Sequence, residues 1–298
     1  TYFTGLNGEK IFLPKSTITL YDRLQYEGLI PGLPYEAHLV VMDKETNSPL
    51  LNEKGNSYET KLSFTPTKES GEVQLSIDIL ADALSGKQLV AFEEIYYEGN
   101  LIAQHKDITD EGQTVEISNP KIRTRLEDIN GLKELHQLKE VSLVDHVSYS
   151  GLIAGEEYAL ELVLMDKETG QALLDKDGQT VTATKTFLAE KREGIETVEI
   201  KVDLSNHLGK QIVAFESLSH DGVEIVAHKD INDKAQTIDV SKISIKTLAK
   251  SQGSKIVKAQ EKAEITDTIS YSGLIVGKQY TIKGVLMDKS TGLEFVDA

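Results

Sequence analysis

GKQLVAFEEIYYEGNLIAQHKDITDEGQTVEI, residues 86–117, recurs as GKQIVAFESLSHDGVEIVAHKDINDKAQTIDV at residues 209–240. The copies are 123 residues apart (209 − 86 = 123). The same offset relates Asp22 to Asp145, Glu93 to Glu216, His105 to His228, Gln113 to Gln236 and Thr1 to Thr124. A third copy opens near Lys242, where DTISYSGLIVGKQYTIKGVLMDKSTG at 267–292 parallels DHVSYSGLIAGEEYALELVLMDKETG at 145–170. No VAFE or HKD segment follows it in the sequence. A period of this length is that of a domain, not of a solenoid repeat of about 20–50 residues. The expected units are 1–119, 120–241 and 242–298, the last only the first half of a repeat. No Gly/Ser-rich or Pro-rich linker separates them, which predicts close contact between neighbours and a stiff array.

Within each unit, apolar and polar residues alternate with a period of two. Tyr158, Leu160, Leu162 and Leu164 alternate with Ala159, Glu161 and Val163, and Val198, Ile200, Val202 and Leu204 with Glu199, Lys201 and Asp203. MDKETG at 165–170 reads as a hairpin turn; in its first-unit counterpart Asn47 replaces the glycine and tolerates the same left-handed backbone. Seven to eight short strands per unit predict an immunoglobulin-like β-sandwich. Residues 131–140 read as a loop, because the first-unit equivalent carries Pro14.

The polar exceptions on apolar faces are informative. Asp22 shares a face with Leu20, Leu24 and Tyr26; Asp145 with Leu143, Val147 and Tyr149; Asp267 with Ile265, Ile269 and Tyr271. Glu93 and Glu216, Gln113 and Gln236, and Thr124 fall on inward faces too, and Thr247 aligns with Ile243 and Ile245. A buried unpaired carboxylate is costly, so two close ones are expected to share a proton, with one pKa strongly raised.

The chain has 48 acidic and 32 basic side chains, a net charge of −16 and no cysteine. Its acidity disfavours nucleic-acid binding. The missing thiols exclude disulfides, thiolate catalysis and Cys-type zinc sites. No run of about 18 apolar residues predicts a membrane span. Neither end carries a signal or anchor pattern, so an exported protein would be represented here by a mature or excised stretch. No metal or cofactor is expected; HKDITDEGQ lacks the spacing of a calcium-binding loop.

Threonine becomes a nucleophile when a base removes its proton, and His105 and His228 are candidate bases eight residues before each glutamine. A protonated carboxyl can stabilise an oxyanion. Attack of a threonine oxygen on a glutamine amide would expel ammonia and leave an ester. VAFE (90–93 and 213–216) together with HKDxxDxxQT (105–114 and 228–237) resembles the VaFE-type ester-bond domains of Gram-positive surface adhesins, and the tract 267–292 resembles the first half of such a domain. The resemblance implies tandem immunoglobulin-like (Cna B-type) sandwiches forming a surface stalk. It implies Thr1–Gln113 and Thr124–Gln236 esters joining first and last strands, promoted by Asp22, Glu93 and His105 and by Asp145, Glu216 and His228. It also implies a cell-wall-attached protein whose host ligand binds elsewhere. Arg23 and His146 stand where the family often has threonine. In the third unit Thr247 and Asp267 lack Glu, His and Gln counterparts, so no internal bond is expected there.

Three other readings exist. A His/acid hydrolase would need a nucleophile elbow, which is absent. A ligand-binding adhesive module without crosslinks would favour an aromatic platform, yet aromatics make up 6% and tryptophan is missing. A Lys–Asn isopeptide could use Lys121, but the closing strand 236–240 has no asparagine.

Overall fold

The computed structural model describes residues 1–14, 17–136, 139–260, 262–274 and 276–295. It is an all-β protein; among the described residues one short 3-10 turn, Ser205–His207, is the sole helical piece. No helix among them is long and apolar enough to cross a membrane.

In the first unit a three-stranded sheet places Ile18–Tyr26 between Tyr2–Thr4 and Gly71–Ile79. A seven-stranded sheet runs Ile11–Phe12, Thr114–Ile117, Gln88–Tyr97, Tyr35–Asp43, Ser48–Pro49, with Glu59–Phe64 on Tyr35–Asp43 and Asn100–His105 on Gln88–Tyr97. The second unit repeats this plan. Lys121–Asp128, Val141–Ser150 and Gly194–Val202 form its small sheet. Glu157–Asp166, Gln211–His220, Val223–His228 and Thr237–Val240 carry the centre of its large one.

The period-two reading translates directly into burial. Along Glu157–Asp166 the inward Tyr158, Leu160, Leu162 and Leu164 are all buried, while Glu161 is exposed. Apolar clusters fill the space between each pair of sheets. The MDKETG turn closes the hairpin Glu157–Asp166/Gln171–Ala172, with Gly170 at φ 68° and Asn47 at φ 51° in the left-handed region that the sequence requires.

Three features differ from expectation. Each full unit shows ten strands among its described residues, because two-residue pieces such as Ile11–Phe12 and Ser48–Pro49 add to the seven or eight legible by alternation; two residues are too few to show a period. The segment 131–140, expected to be a loop, contains the strand Glu134–Leu135, paired in parallel with Asp239 and Val240; its Gln137 and Leu138 lie outside the described residues. The third copy is a hairpin, Ser244–Lys250 with Thr266–Ser272, whose residues are nearly all exposed. Thr247 and Asp267 keep the second unit's register there, but no opposing sheet covers them among the described residues.

The units touch. Leu13 of the first packs into the apolar cluster of the second, and Arg192 pairs with Glu116 across the junction. Gly151 lies against the connecting backbone: a Cβ there would sit 2.2 Å from the Asn119 carbonyl oxygen. Gly273 stands in the same relation to Lys242, whereas Gly28 at the matching place in the first unit has open space. All three have φ near +75°. Gly28→Ala should therefore cost only the left-handed backbone, about 1–2 kcal/mol. Gly151→Ala should cost about 1–3 kcal/mol more from the backbone collision. Equal shifts of the urea midpoints would contradict this packing.

Candidate functional site: a threonine–glutamine pair over shared carboxyls

The central strand of each large sheet has a divided edge. In the second unit Gln211–Val213 pair with Thr237–Asp239, and Glu216–His220 pair with Val223–His228. Between these two partners the Ala214 N–H donates to the Gln236 carbonyl. Glu216 sits where the edge passes from one neighbour to the other, which brings Gln236 and His228 to it. The first unit matches: Gln88–Val90 pair with Thr114–Glu116, and Glu93 lies opposite His105.

A bulge sets that last pairing. The hairpin begins with His220 opposite Val223 and Ser219 opposite Glu224, then skips Ile225, so that Leu218 faces Val226 and Glu216 faces His228. Ile102 is skipped in the first unit. Opposed strand residues share a face, and a one-residue shift reverses which face a side chain takes. The bulge thus turns each histidine to the same side as its glutamate.

The small sheet contributes the other half. Thr124 and Leu126 lie opposite Val147 and Asp145 on Val141–Ser150. Asp145, Glu216 and Gln236 have no exposed surface, and Thr124 is buried. Asp22, Glu93 and Gln113 are equally enclosed in the first unit, where Thr1 is half-buried. A cavity of about 350 Å³ lined by Thr1, Leu24, Glu93 and His105 leaves that site more open.

The glutamine side chains are aimed at the threonines. Gln236 Nε2 is 2.7 Å from Thr124 Oγ1, and Gln113 Nε2 is 2.5 Å from Thr1 Oγ1. Gln113 Nε2 also meets Glu93 Oε1. His105 Nδ1 lies 3.4 Å from Thr1 Oγ1. Its Nε2 is 3.3 Å from Asp110 Oδ2, and His228 Nε2 is 3.2 Å from Asp233 Oδ2. Each aspartate is itself fixed by a backbone N–H, of Gly112 or of Ala235, donating to its other oxygen. Asp110 and Asp233 were given no role from sequence, although they recur in the motif; their signal was a fixed place between histidine and glutamine.

The carboxyls come from opposite sheets: Asp22 faces Glu93, and Asp145 faces Glu216. Two carboxylates offer each other no donor, and the Asp22 and Asp145 oxygens have no other partner among the described residues. One proton held between them turns each contact into a hydrogen bond. Burial, and then the charge of Asp22, pushes Glu93 up to about 9. Burial, then the hydrogen bond and charge of Asp145, pushes Glu216 up to about 11. Burial also raises Asp22, to about 6, and Asp145 above its usual range, so each buried pair holds one proton between its two carboxyls. The Oε1 atoms of Gln113 and Gln236 are buried and without a partner among the described residues. In the first unit, where the Gln113 amide nitrogen already meets Glu93, a half-turn of the amide would present that oxygen to the glutamate instead.

The structure thus brings together Thr1, Asp22, Glu93, His105 and Gln113, and separately Thr124, Asp145, Glu216, His228 and Gln236. Thr247 and Asp267 stay exposed on the third hairpin and gather no such set.

Comparison with solved structures finds distant likenesses. An adhesin from Mobiluncus mulieris containing intramolecular disulfide, isopeptide and ester-bond crosslinks is 12% identical, over 90% of this chain and 91% of that one, with a TM-score of 0.38. A structure called BspA_C_WT is 8% identical, over 81% and 99%, with a TM-score of 0.45. A glycosyl hydrolase family 2 member from Bacteroides cellulosilyticus is 11% identical, over 78% of this chain and 27% of that one, with a TM-score of 0.28. No curated protein matches the chain. The model of the T-Q ester bond containing domain, in contrast, matches residues 1–117, 120–240 and 243–294. With nearly its whole length matched in three successive copies, the chain belongs to the T-Q ester bond containing domain family.

Proposed function

We propose that units 1–119 and 120–241 each close on themselves through a Thr–Gln ester, Thr1 to Gln113 and Thr124 to Gln236, and that the chain is a stalk segment of a Gram-positive cell-surface adhesin. The observation that carries the reading is a glutamine amide resting on a threonine hydroxyl beside a proton-sharing acid pair, twice, 123 residues apart.

The steps follow from the atoms present. His228 takes the Thr124 hydroxyl proton while Oγ1 attacks Gln236 Cδ. The protonated Glu216 donates to the developing oxyanion, a role worth about 10²–10³ in rate. The histidine, held by Asp233, returns its proton to the amide nitrogen, which leaves as ammonia. The group turns over once, so the protein is not an enzyme in the usual sense. The ester would tie the small sheet to the large one by linking the first strand of the unit to the last. Closing a loop of 112 residues (236 − 124 = 112) would stabilise by about 5 kcal/mol on the loop-entropy model. Tension entering one end of a unit would then leave by the other through covalent bonds, which suits a stalk whose chain has no cysteine to form disulfides. The partners of each unit are its neighbouring repeats, and host-ligand binding is assigned to other parts of the adhesin.

The intact mass of the denatured chain tests the central claim. It should fall two ammonias below the sequence mass, and one below in a Gln236→Ala variant. A wild-type mass equal to that of the sequence would end the proposal.

The shared proton gives a pH dependence. In a Thr1→Val/Thr124→Val chain, which keeps the acid pairs but cannot crosslink, folded Glu93 retains a proton that the unfolded chain releases near its ordinary 4.5. The unfolded state binds fewer protons, so stability should fall as pH rises from about 4.5 through about 9. Urea midpoints that rise over this window would contradict the pairing.

Inserting one alanine between Val226 and Ala227 should carry His228 one place past Glu216 and turn it to the other face. Peptide mapping should then find Gln236 free and Gln113 still esterified. A normal second crosslink in that variant would show that the hairpin register does not position the base.

A further inference from the structure

A lysine outside both acid–histidine sets recurs at each glutamine. The Lys10 ammonium donates to the carbonyls of Gly112 at 2.6 Å and Thr114 at 3.1 Å, the two residues flanking Gln113, and to that of Phe3 at 2.8 Å. Phe3 lies two residues beyond Thr1. Lys133, 123 residues on, donates to the carbonyls of Ala235 and, at 3.2 Å, of Thr237, which flank Gln236.

The backbone explains the arrangement. Each glutamine is the last residue of a turn, immediately before the closing strand begins at Thr114 or Thr237. The Gln113 carbonyl accepts from the Ala91 N–H, and that of Gln236 from Ala214. The flanking carbonyls point to where no strand continues the ladder, and the lysine fills that edge. Its own carbonyl accepts from Glu116 or, in the second unit, Asp239, so the lysine is anchored at both ends to the strand it grips. Main-chain bonds from Phe3 to Gly112 and from Leu126 to Ala235 tie the threonine strand to the same carbonyls. Both lysines are partly withdrawn from water, which lowers their pKa; this cost is offset only by the carbonyls and nearby acids.

We infer that Lys10 and Lys133 are positioning residues for ester formation, whose ammonium groups hold the glutamine segment in register with the threonine strand so that the amide carbon stands within reach of the hydroxyl. The inference rests on the ester reading above. Misplacement by about 1 Å is enough to cost roughly 10²-fold in rate. The lysine touches neither reacting atom, so its effect should appear in how fast the bond forms.

The test follows crosslinking of freshly expressed chain over time by intact mass, with peptide mapping to separate Gln113 from Gln236. Lys133→Met should slow the bond at Gln236 by roughly 10²-fold while the bond at Gln113, in the same polypeptide, forms at the normal rate. Lys133→Arg, which keeps a charged donor, should recover most of that rate. Leu160→Ala, which destabilises the same unit by emptying its core, should leave the rate unchanged and so separates positioning from stability. A wild-type rate in Lys133→Met, or equal slowing in Leu160→Ala, would overturn the assignment. Lys10→Met repeats the trial at Gln113. If both methionine variants fail to fold by circular dichroism, the lysines belong to the fold alone and the inference is wrong. A wild-type chain without any ammonia loss would instead refute the ester reading itself.

Discussion

Each full unit is organised around two carboxyl groups pressed together from opposite sheets. An aspartate on the small sheet and a glutamate on the large one occupy places that an ordinary sandwich would give to leucine. They can do so only by sharing a proton, and the proton stays only if water is kept out. In the second unit this requirement is met throughout: leucines flank both acids, and Gln236 and Thr124 are buried beside them, while in the first unit a cavity still reaches Thr1 and Glu93. Before any bond forms, such a core is poorer than an all-apolar one. A covalent link between the sheets would more than offset that deficit, so the residues that weaken the precursor are those that would strengthen the product.

The fold was legible wherever alternation ran for more than four residues. The inward placement of Asp22, Asp145, Glu93 and Glu216 followed from counting by twos, because a strand with one buried face leaves no freedom of phase. What escaped was of two kinds. Very short strands such as Glu134–Leu135 carry no period; they exist because a neighbour offers unpaired backbone groups. Residues acting on the backbone also escaped. Lys10 and Lys133 follow an Asn-Gly turn in polar surroundings and read as surface charge, since their partners are main-chain carbonyls about a hundred residues away in sequence. Asp110 and Asp233 stood inside a motif already recognised, yet only the fold shows that they face the histidines.

The third copy isolates what the second sheet contributes. Its hairpin reproduces the pairing of Thr124 and Asp145 with their neighbours, so local sequence is sufficient for register. It buries almost nothing, and Asp267 there lies exposed. The enclosed acid of the full units is therefore a product of tertiary assembly: the same aspartate on the same strand stands in solvent until a second sheet covers it.

In a hairpin closed by two residues, opposed positions are always an odd number apart. His220 and Val223 obey this, with Asp221 and Gly222 as the turn. Glu216 and His228 are separated by an even number (228 − 216 = 12), as are Glu93 and His105 (105 − 93 = 12). They can meet only because one residue has been set aside between them. Spacing and bulge are therefore coupled by parity: a tandem copy of this domain whose glutamate and histidine lie an odd number apart across such a turn would oppose them with a plain hairpin, whereas the even spacing found here demands the extra residue. Loss of the bulge codon would leave the two opposed in a plain hairpin, whereas gain of one codon in the same surface arm would carry the histidine to the other face of its strand while the sandwich kept its shape.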